Sequence, residues 1–195
     1  MNVEPLSDTE KRQLLVLARK SVQAAAARLS LPEIEPEAFS PRLLEHRASF
    51  VTLTEADGEL RGCIGALEAY QPLVVDVREH AAAAAVQDYR FHPVQPAEVA
   101  DLQIEISCLT APEELFYEDP GKLPELLRPG IDGVTLRDGG QRATFLPQVW
   151  EKLPDPEAFL AHLCQKMGAN PNLWRKKKLK VHIYHVEEFH EMPFK

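Results

Sequence analysis

Cysteine is scarce in this chain, and the patterns that would make it structural are missing. Its 195 residues include three cysteines, Cys63, Cys108 and Cys164. An odd number at long spacings argues against a disulfide framework and fits reduced thiols. There is no Cys-x-x-Cys and no His-Glu-x-x-His, so no metal site is expected. Gly-x-Gly-x-x-Gly, a Walker-type loop and a serine-centred nucleophile elbow are absent too. Nucleotide-dependent and lipase-like chemistry therefore lacks support, and no cofactor is evident. Positive charge is in deficit, with 22 Lys and Arg against 30 Asp and Glu and a net charge of -8. That argues against nucleic acid, and equally against an anionic membrane surface, as the main partner. No apolar run approaches the roughly 20 residues of a membrane span. Leu14 to Leu17 is a short apolar run in a charged helix rather than a leader peptide. A soluble, cytoplasmic protein is expected.

What is present suffices for a core. Hydrophobic residues make up 45% of the chain, enough for one large domain or two small lobes. Ser7-Asp8-Thr9-Glu10 is a capping box, and Leu14, Leu17, Ala18, Val22, Ala25 and Leu29 follow at helical spacing. A helix is predicted over Asp8 to Leu29. Pro32, Pro36 and Pro41 then mark an extended connection. Ala48 to Thr54 and Glu59 to Ile64 read as a hairpin around the turn Glu55-Ala56-Asp57-Gly58. Pro72 precedes a helix over Leu73 to Val86, where five alanines from Ala81 to Ala85 would let it approach a sheet closely. Leu102, Ile104, Ile106 and Cys108 alternate with polar residues as one face of a strand. A second hairpin is predicted around Asp138-Gly139-Gly140. A helix capped by Asp155 and ended by Gly168 comes next, then a last strand over Leu179 to Val186. Hairpins must be antiparallel, so the expected class is α+β with mainly antiparallel sheets and flanking helices. Nothing reads as a coiled coil, and a monomer is expected.

The chemistry concentrates in Leu60-Arg61-Gly62-Cys63-Ile64-Gly65. Regular alternation would send Leu60, Gly62 and Ile64 to the core face and Arg61 and Cys63 to the other. The Cα atoms of Arg61 and Cys63 would lie about 6–7 Å apart. A fixed positive charge near a thiol favours the reactive thiolate, so Cys63 and Arg61 are the candidate catalytic pair. Gly62 and Gly65 remove bulk and would admit a ligand, or else a packed helix. A buried, purely structural Cys63 is the competing reading.

Other residues support the stretch less strongly. Arg90 is a candidate anion ligand, although Asp88 two residues away makes a structural ion pair the simpler account. Glu105 and Ser107 fall on the polar face of their strand, and Glu105 is a candidate ligand residue. His92 is the best base by type, with a surface histidine as the plainer alternative. His80, in an apolar helical stretch, reads as a satisfied or an exposed histidine. His182 and His185 would face opposite ways on one strand, and His190 lies near a frayed end, so no metal site is assembled from them. Cys108 and Cys164 belong to apolar faces. Trp174-Arg175-Lys176-Lys177-Lys178 is the one basic run, read as a solvated face rather than an RNA site.

The hexapeptide resembles the signature of the AMMECR family, whose prokaryotic members are called protein A of the AmmeMemoRadiSam system. Asp88-Tyr89-Arg90-Phe91 resembles the family's Asp-x-Arg-Phe. Ile131-Asp132-Gly133-Val134 and Thr144-Phe145-Leu146-Pro147 resemble two later segments, in the same order. The resemblance runs from about residue 8 to the end. It implies a single domain of two unequal lobes with a cleft between them, the larger built from both chain ends and the smaller from the middle. It also implies a shared pathway with Memo-type and radical S-adenosylmethionine proteins, but no reaction. The family reads Arg-Phe-Pro-Pro where this chain has Arg90-Phe91-His92-Pro93, so a carried-over role is least secure at that loop. The expectation is a small enzyme or enzyme subunit using the motif for thiol chemistry or for an anionic or peptide ligand. A non-catalytic adaptor for the neighbouring proteins is the alternative, and RNA binding a weaker one.

Overall fold

The capping box forms as the sequence predicts. Ser7 Oγ accepts the Glu10 N–H at 3.3 Å, and Glu10 Oε2 accepts the Ser7 N–H at 2.8 Å. The computed structural model of the chain describes residues 5–191. Helix α1 (Asp8–Ala26) starts at this box. Its end falls short of Leu29, because Arg28 adopts the left-handed region with φ 58°. The Leu29 N–H then reaches Ala24 O at 2.8 Å and the Arg28 N–H reaches Ala25 O at 3.1 Å. This pair of bonds closes the helix without a glycine.

The elements that follow are β1 (Ser49–Thr54), β2 (Leu60–Gly65), α2 (Leu73–Val86), β3 (Gln103–Leu109), β4 (Glu113–Glu114) and α3 (Leu123–Leu126). Then come β5 (Gly133–Asp138), β6 (Gln141–Phe145), α4 (Pro156–Lys166), α5 (Leu173–Lys176), β7 (Lys180–Tyr184) and β8 (Val186–His190). The class is α+β, with two four-stranded antiparallel sheets ordered β2-β1-β3-β8 and β4-β7-β5-β6. The chain divides into two compact units. One runs through Leu109 and resumes at Glu187; the other is Thr110–Val186.

In the first unit α1 and α2 cover one face of the sheet. Leu14, Leu17 and Val22 meet Val74, Val77 and Ala81, and beneath them lie Val51, Leu53, Ile104 and Ile106, all buried. A polar network ties α2 to the start of β1. Buried Asp76 accepts the Ser49 N–H at 2.8 Å and the Ser49 hydroxyl at 2.6 Å. His80, one turn on, stands 3.0 Å from the same carboxylate and 3.4 Å from the Tyr70 hydroxyl, and it is buried rather than exposed. The alanine run brings α2 very close to β2. A methyl on Gly62 would lie 2.2 Å from the Ala84 carbonyl oxygen.

The second unit is built around Trp150 and Phe159, whose rings stack at 3.6 Å. The Trp150 indole donates to Asp132 O at 2.7 Å. Buried Asp132 also takes Arg128 at 2.7 Å and the His185 ring at 3.1 Å. The basic run holds no stacking platform. Trp174 is 1% exposed, Arg175 pairs with Glu157, and Lys177 pairs with Asp138 at 2.7 Å.

The last strand differs from the sequence reading. The expected strand over Leu179 to Val186 ends at Tyr184 as β7, which pairs with β5. After His185 a further strand that the sequence did not suggest, β8, lies beside β3. The backbone of His185 exchanges bonds with Thr110 instead, as acceptor from the Thr110 N–H and donor to the Thr110 hydroxyl, each at 2.9 Å. His190 is accordingly inside a strand.

Gly62→Ala is expected to destabilise the fold by about 2–3 kcal/mol, because a backbone carbonyl cannot rotate away from the new methyl as a side chain could. Urea unfolding of the variant beside the parent checks this, and an unchanged midpoint would show that α2 has room to move.

Candidate functional site

The hexapeptide is the free edge of its sheet, and a bulge interrupts it. Thr54 is opposite Leu60 but Leu53 is opposite Gly62, so Arg61 is the extra residue. This overturns two expectations drawn from regular alternation. Leu60 is 41% exposed rather than in the core, and Arg61 is 9% exposed rather than projecting beside the thiol. The Arg61 guanidinium runs instead to Glu98, with Nε at 3.2 Å and Nη2 at 3.1 Å from one carboxylate oxygen. The other oxygen of Glu98 accepts the Gln95 N–H at 2.6 Å. That amide first, and Arg61 with it, hold the Glu98 carboxyl below its ordinary range.

Past the bulge the alternation returns. Ile64 packs against the core cluster, and Gly62 lies beneath α2. Cys63 faces the other way, half-buried, and the Thr52 hydroxyl donates to its Sγ at 3.3 Å. The two glycines admit parts of the protein itself: a methyl on Gly65 would sit 2.3 Å from the Phe50 ring. The other thiols are sealed in the core. Burial pushes Cys108 up to about 12 and Cys164 in the same direction.

An edge strand exposes backbone donors and acceptors that a further strand would normally take. Here two side chains take them. The Asp88 carboxylate accepts the Cys63 N–H at 2.9 Å, and Arg90 Nη2 donates to Cys63 O at 3.4 Å. Arg90 in turn grips Asp88 through Nε at 2.9 Å and Nη2 at 2.6 Å, which is the ion pair that their spacing suggested. Arg90 first, then the Cys63 and Arg90 amides, hold Asp88 well below the usual carboxylate range despite its burial.

These contacts bring together residues from three segments. A depression of about 560 Å³ is lined by Arg61, Tyr89, Arg90, Phe91, His92 and Glu98 among others. Arg61 and Arg90 thus meet there, and His92 joins them. A second depression, of about 630 Å³, lies along β1, β3 and β8 and is lined by Thr52, Thr54, Gln103, Glu105 and His190. Thr52 is paired with both Cys63 and Glu105, so thiol, hydroxyl and carboxyl form one row across three strands. Burial first, then the charge of Glu188, raises the pKa of Glu105. Glu105 and Arg90 lie on different depressions and do not form one ligand set.

Glu98 and Thr52 carried no signal in the sequence. Glu98 sits in a charged loop, and Thr52 is one of several β-strand threonines. The Asp88 contact to the Cys63 backbone was equally silent, though its pairing with Arg90 was not. Among the described residues no group of three or more His, Cys, Asp or Glu is arranged to hold a metal ion, and no helix is long and apolar enough to cross a membrane.

Comparison with known proteins adds the relatives. The family model described as AMMECR1 matches residues 15–189. A protein of Methanothermobacter thermautotrophicus is 39% identical over 195 residues, covering 98% of this chain and 99% of its own length. A protein of Methanopyrus kandleri is 35% identical over 195 residues, covering 96% of this chain and 91% of its own. The crystal structure of an uncharacterized protein from Pyrococcus horikoshii superposes with a TM-score of 0.79 at 34% identity, over 95% of this chain and 93% of that one.

The depressed Asp88 carboxyl sets a pH dependence. Its folded pKa lies below the unfolded value near 3.8, so its stabilisation is complete above that value and fades as pH falls toward the folded one. Asp88→Asn is expected to lower stability by about 2 kcal/mol at pH 7. Urea midpoints of the two proteins should converge below about pH 4. A gap that stays constant down to pH 3 would mean that the charge of Asp88 contributes nothing.

Proposed function

This chain belongs to the AMMECR1 family, and we propose that it binds a small anionic ligand in the depression beside the Leu60–Gly65 edge. One observation carries the reading: Arg61 and Arg90, from separate segments, line the same hollow together with His92. Arginine presents a planar fork of donors suited to carboxylate or phosphate. Arg90 is 45% exposed at its side chain although it holds Asp88, so part of the guanidinium faces solvent. Glu98 neutralises Arg61. A ligand anion would then be held mainly by Arg90, with His92 beside it.

The role is that of a small cytoplasmic enzyme or enzyme subunit, and Cys63 is the group that would make it catalytic. Its thiol is the one partly exposed sulfur of the three, and it receives the Thr52 hydroxyl. No histidine ring is bonded to it among the described residues, which favours binding over thiol turnover. A non-catalytic adaptor serving Memo-type and radical S-adenosylmethionine proteins is the second reading. A Tyr89 side chain left in solvent speaks for it.

Thermal shift with inorganic phosphate and with citrate tests the anion site. A ligand at about 100 times its Kd adds about 2.7 kcal/mol of stability, a rise of several degrees in Tm. The rise should persist in Cys63→Ser and shrink in both Arg90→Ala and His92→Ala; a full rise in both of those variants would place the anion elsewhere. Site-resolved alkylation separates enzyme from adaptor. A Cys63 that reacts faster at pH 7 than a free thiol supports thiol chemistry, and one that reacts no faster supports the adaptor.

A further inference from the structure

The loop that fills the depression does more than supply charge. Tyr89, Arg90, Phe91 and His92 are consecutive, and all four line it. Tyr89 is 96% exposed, so almost none of its ring is used by the fold. Leaving an aromatic ring in water forgoes the stabilisation that burial would contribute. The ring has no hydrogen-bonded or stacked partner among the described residues that would account for its place. Phe91 is half-buried, and the Arg90 guanidinium carbon stands 5.4 Å from its ring centroid. Cation and aromatic face are thus presented side by side. Pro93 continues the apolar wall, while Arg61, Gln95 and the carboxylates of Glu55 and Glu98 form the polar one. The hollow, at about 560 Å³, falls in the size range of small-molecule sites.

We infer that the ligand is an anion carried on a flat ring, an aryl phosphate or aryl carboxylate in class; this rests on the anion-binding reading above. The anionic group lies against Arg90 and His92. The ring lies against Phe91, with Tyr89 as the second face. A bare inorganic anion would leave both aromatic rings without a role. An extended peptide is a poorer match, because Asp88 and Arg90 already occupy the Cys63 N–H and C=O that strand addition would use. Offset aromatic contact adds to the affinity beyond the area it buries. Together with that buried area, it should raise the affinity of the anionic group at least tenfold.

The test is isothermal titration of the full chain with phenyl phosphate, inorganic phosphate and phenol. Phenyl phosphate should bind at least tenfold tighter than inorganic phosphate, and phenol should not bind measurably. Tyr89→Ala removes a side chain the fold does not use, so the variant should fold. It should lose most of the preference for phenyl phosphate while binding inorganic phosphate as before. Equal affinity for phenyl and inorganic phosphate would overturn the ring inference and leave the anion site standing. Tyr89→Ala with an undiminished preference would overturn it too. Phenol binding as tightly as phenyl phosphate would overturn the anion site itself, as would the absence of binding by either phosphate.

Discussion

The separation between α2 and β2 is the constraint on which the site depends. It is set by side chains that are small or missing. Ala84 presents its backbone carbonyl to a strand position where even a methyl group would collide. Four residues after Ala84 the chain reaches Asp88, already buried and level with the strand edge. Asp88 can then accept the Cys63 amide, and Arg90 can close over the Cys63 carbonyl. A thicker helix–strand interface would lift this loop off the edge and break both contacts. The glycine and the alanines thus act at a distance from any ligand: they decide where the charged loop lands.

The edge is protected by electrostatics rather than by another strand. Unpaired strand backbone invites association with other chains, and proteins blunt it with charges or bulges. This strand uses both. The bulge turns Arg61 out of line, and the Asp88–Arg90 pair covers the next outward-facing peptide. The same devices place three basic side chains around one hollow. Edge protection and the proposed ligand recognition therefore draw on the same atoms: an arginine engaged in an ion pair still presents part of its guanidinium to solvent.

Several residues that invite functional readings are explained by packing. His80 completes a buried network with Asp76. Gly65 makes way for the Phe50 ring, and Gly133 for Tyr184. Trp174 is core, and its neighbouring cations meet acidic partners. Cys108 and Cys164 are protonated core residues, held so by burial. Removing these leaves the edge, its capping loop and the row Thr52, Cys63 and Glu105 as the polar features the fold does not fully consume.

The α+β class, the capping box, both hairpins and the alanine helix were legible in the sequence, because each depends on neighbours a few residues apart. The Asp88–Arg90 pair was legible for the same reason. The hexapeptide stood out as a candidate site, but its geometry was not legible. Alternation is a rule of period two, and one extra residue inverts it. Whether that residue bulges depends on how β1 pairs with β2, which no local pattern encodes. Arg61 finds Glu98 across 37 positions, and Cys63 finds Asp88 across 25, only once the chain has folded. The change of sheet at His185 was hidden likewise, since it depends on distant partner strands. Sequence alone determined that a thiol and an arginine would share a strand. Tertiary structure decided that they part company there, the arginine toward a carboxylate and the thiol toward a threonine, because a bulge sets side-chain direction and pairing sets the bulge.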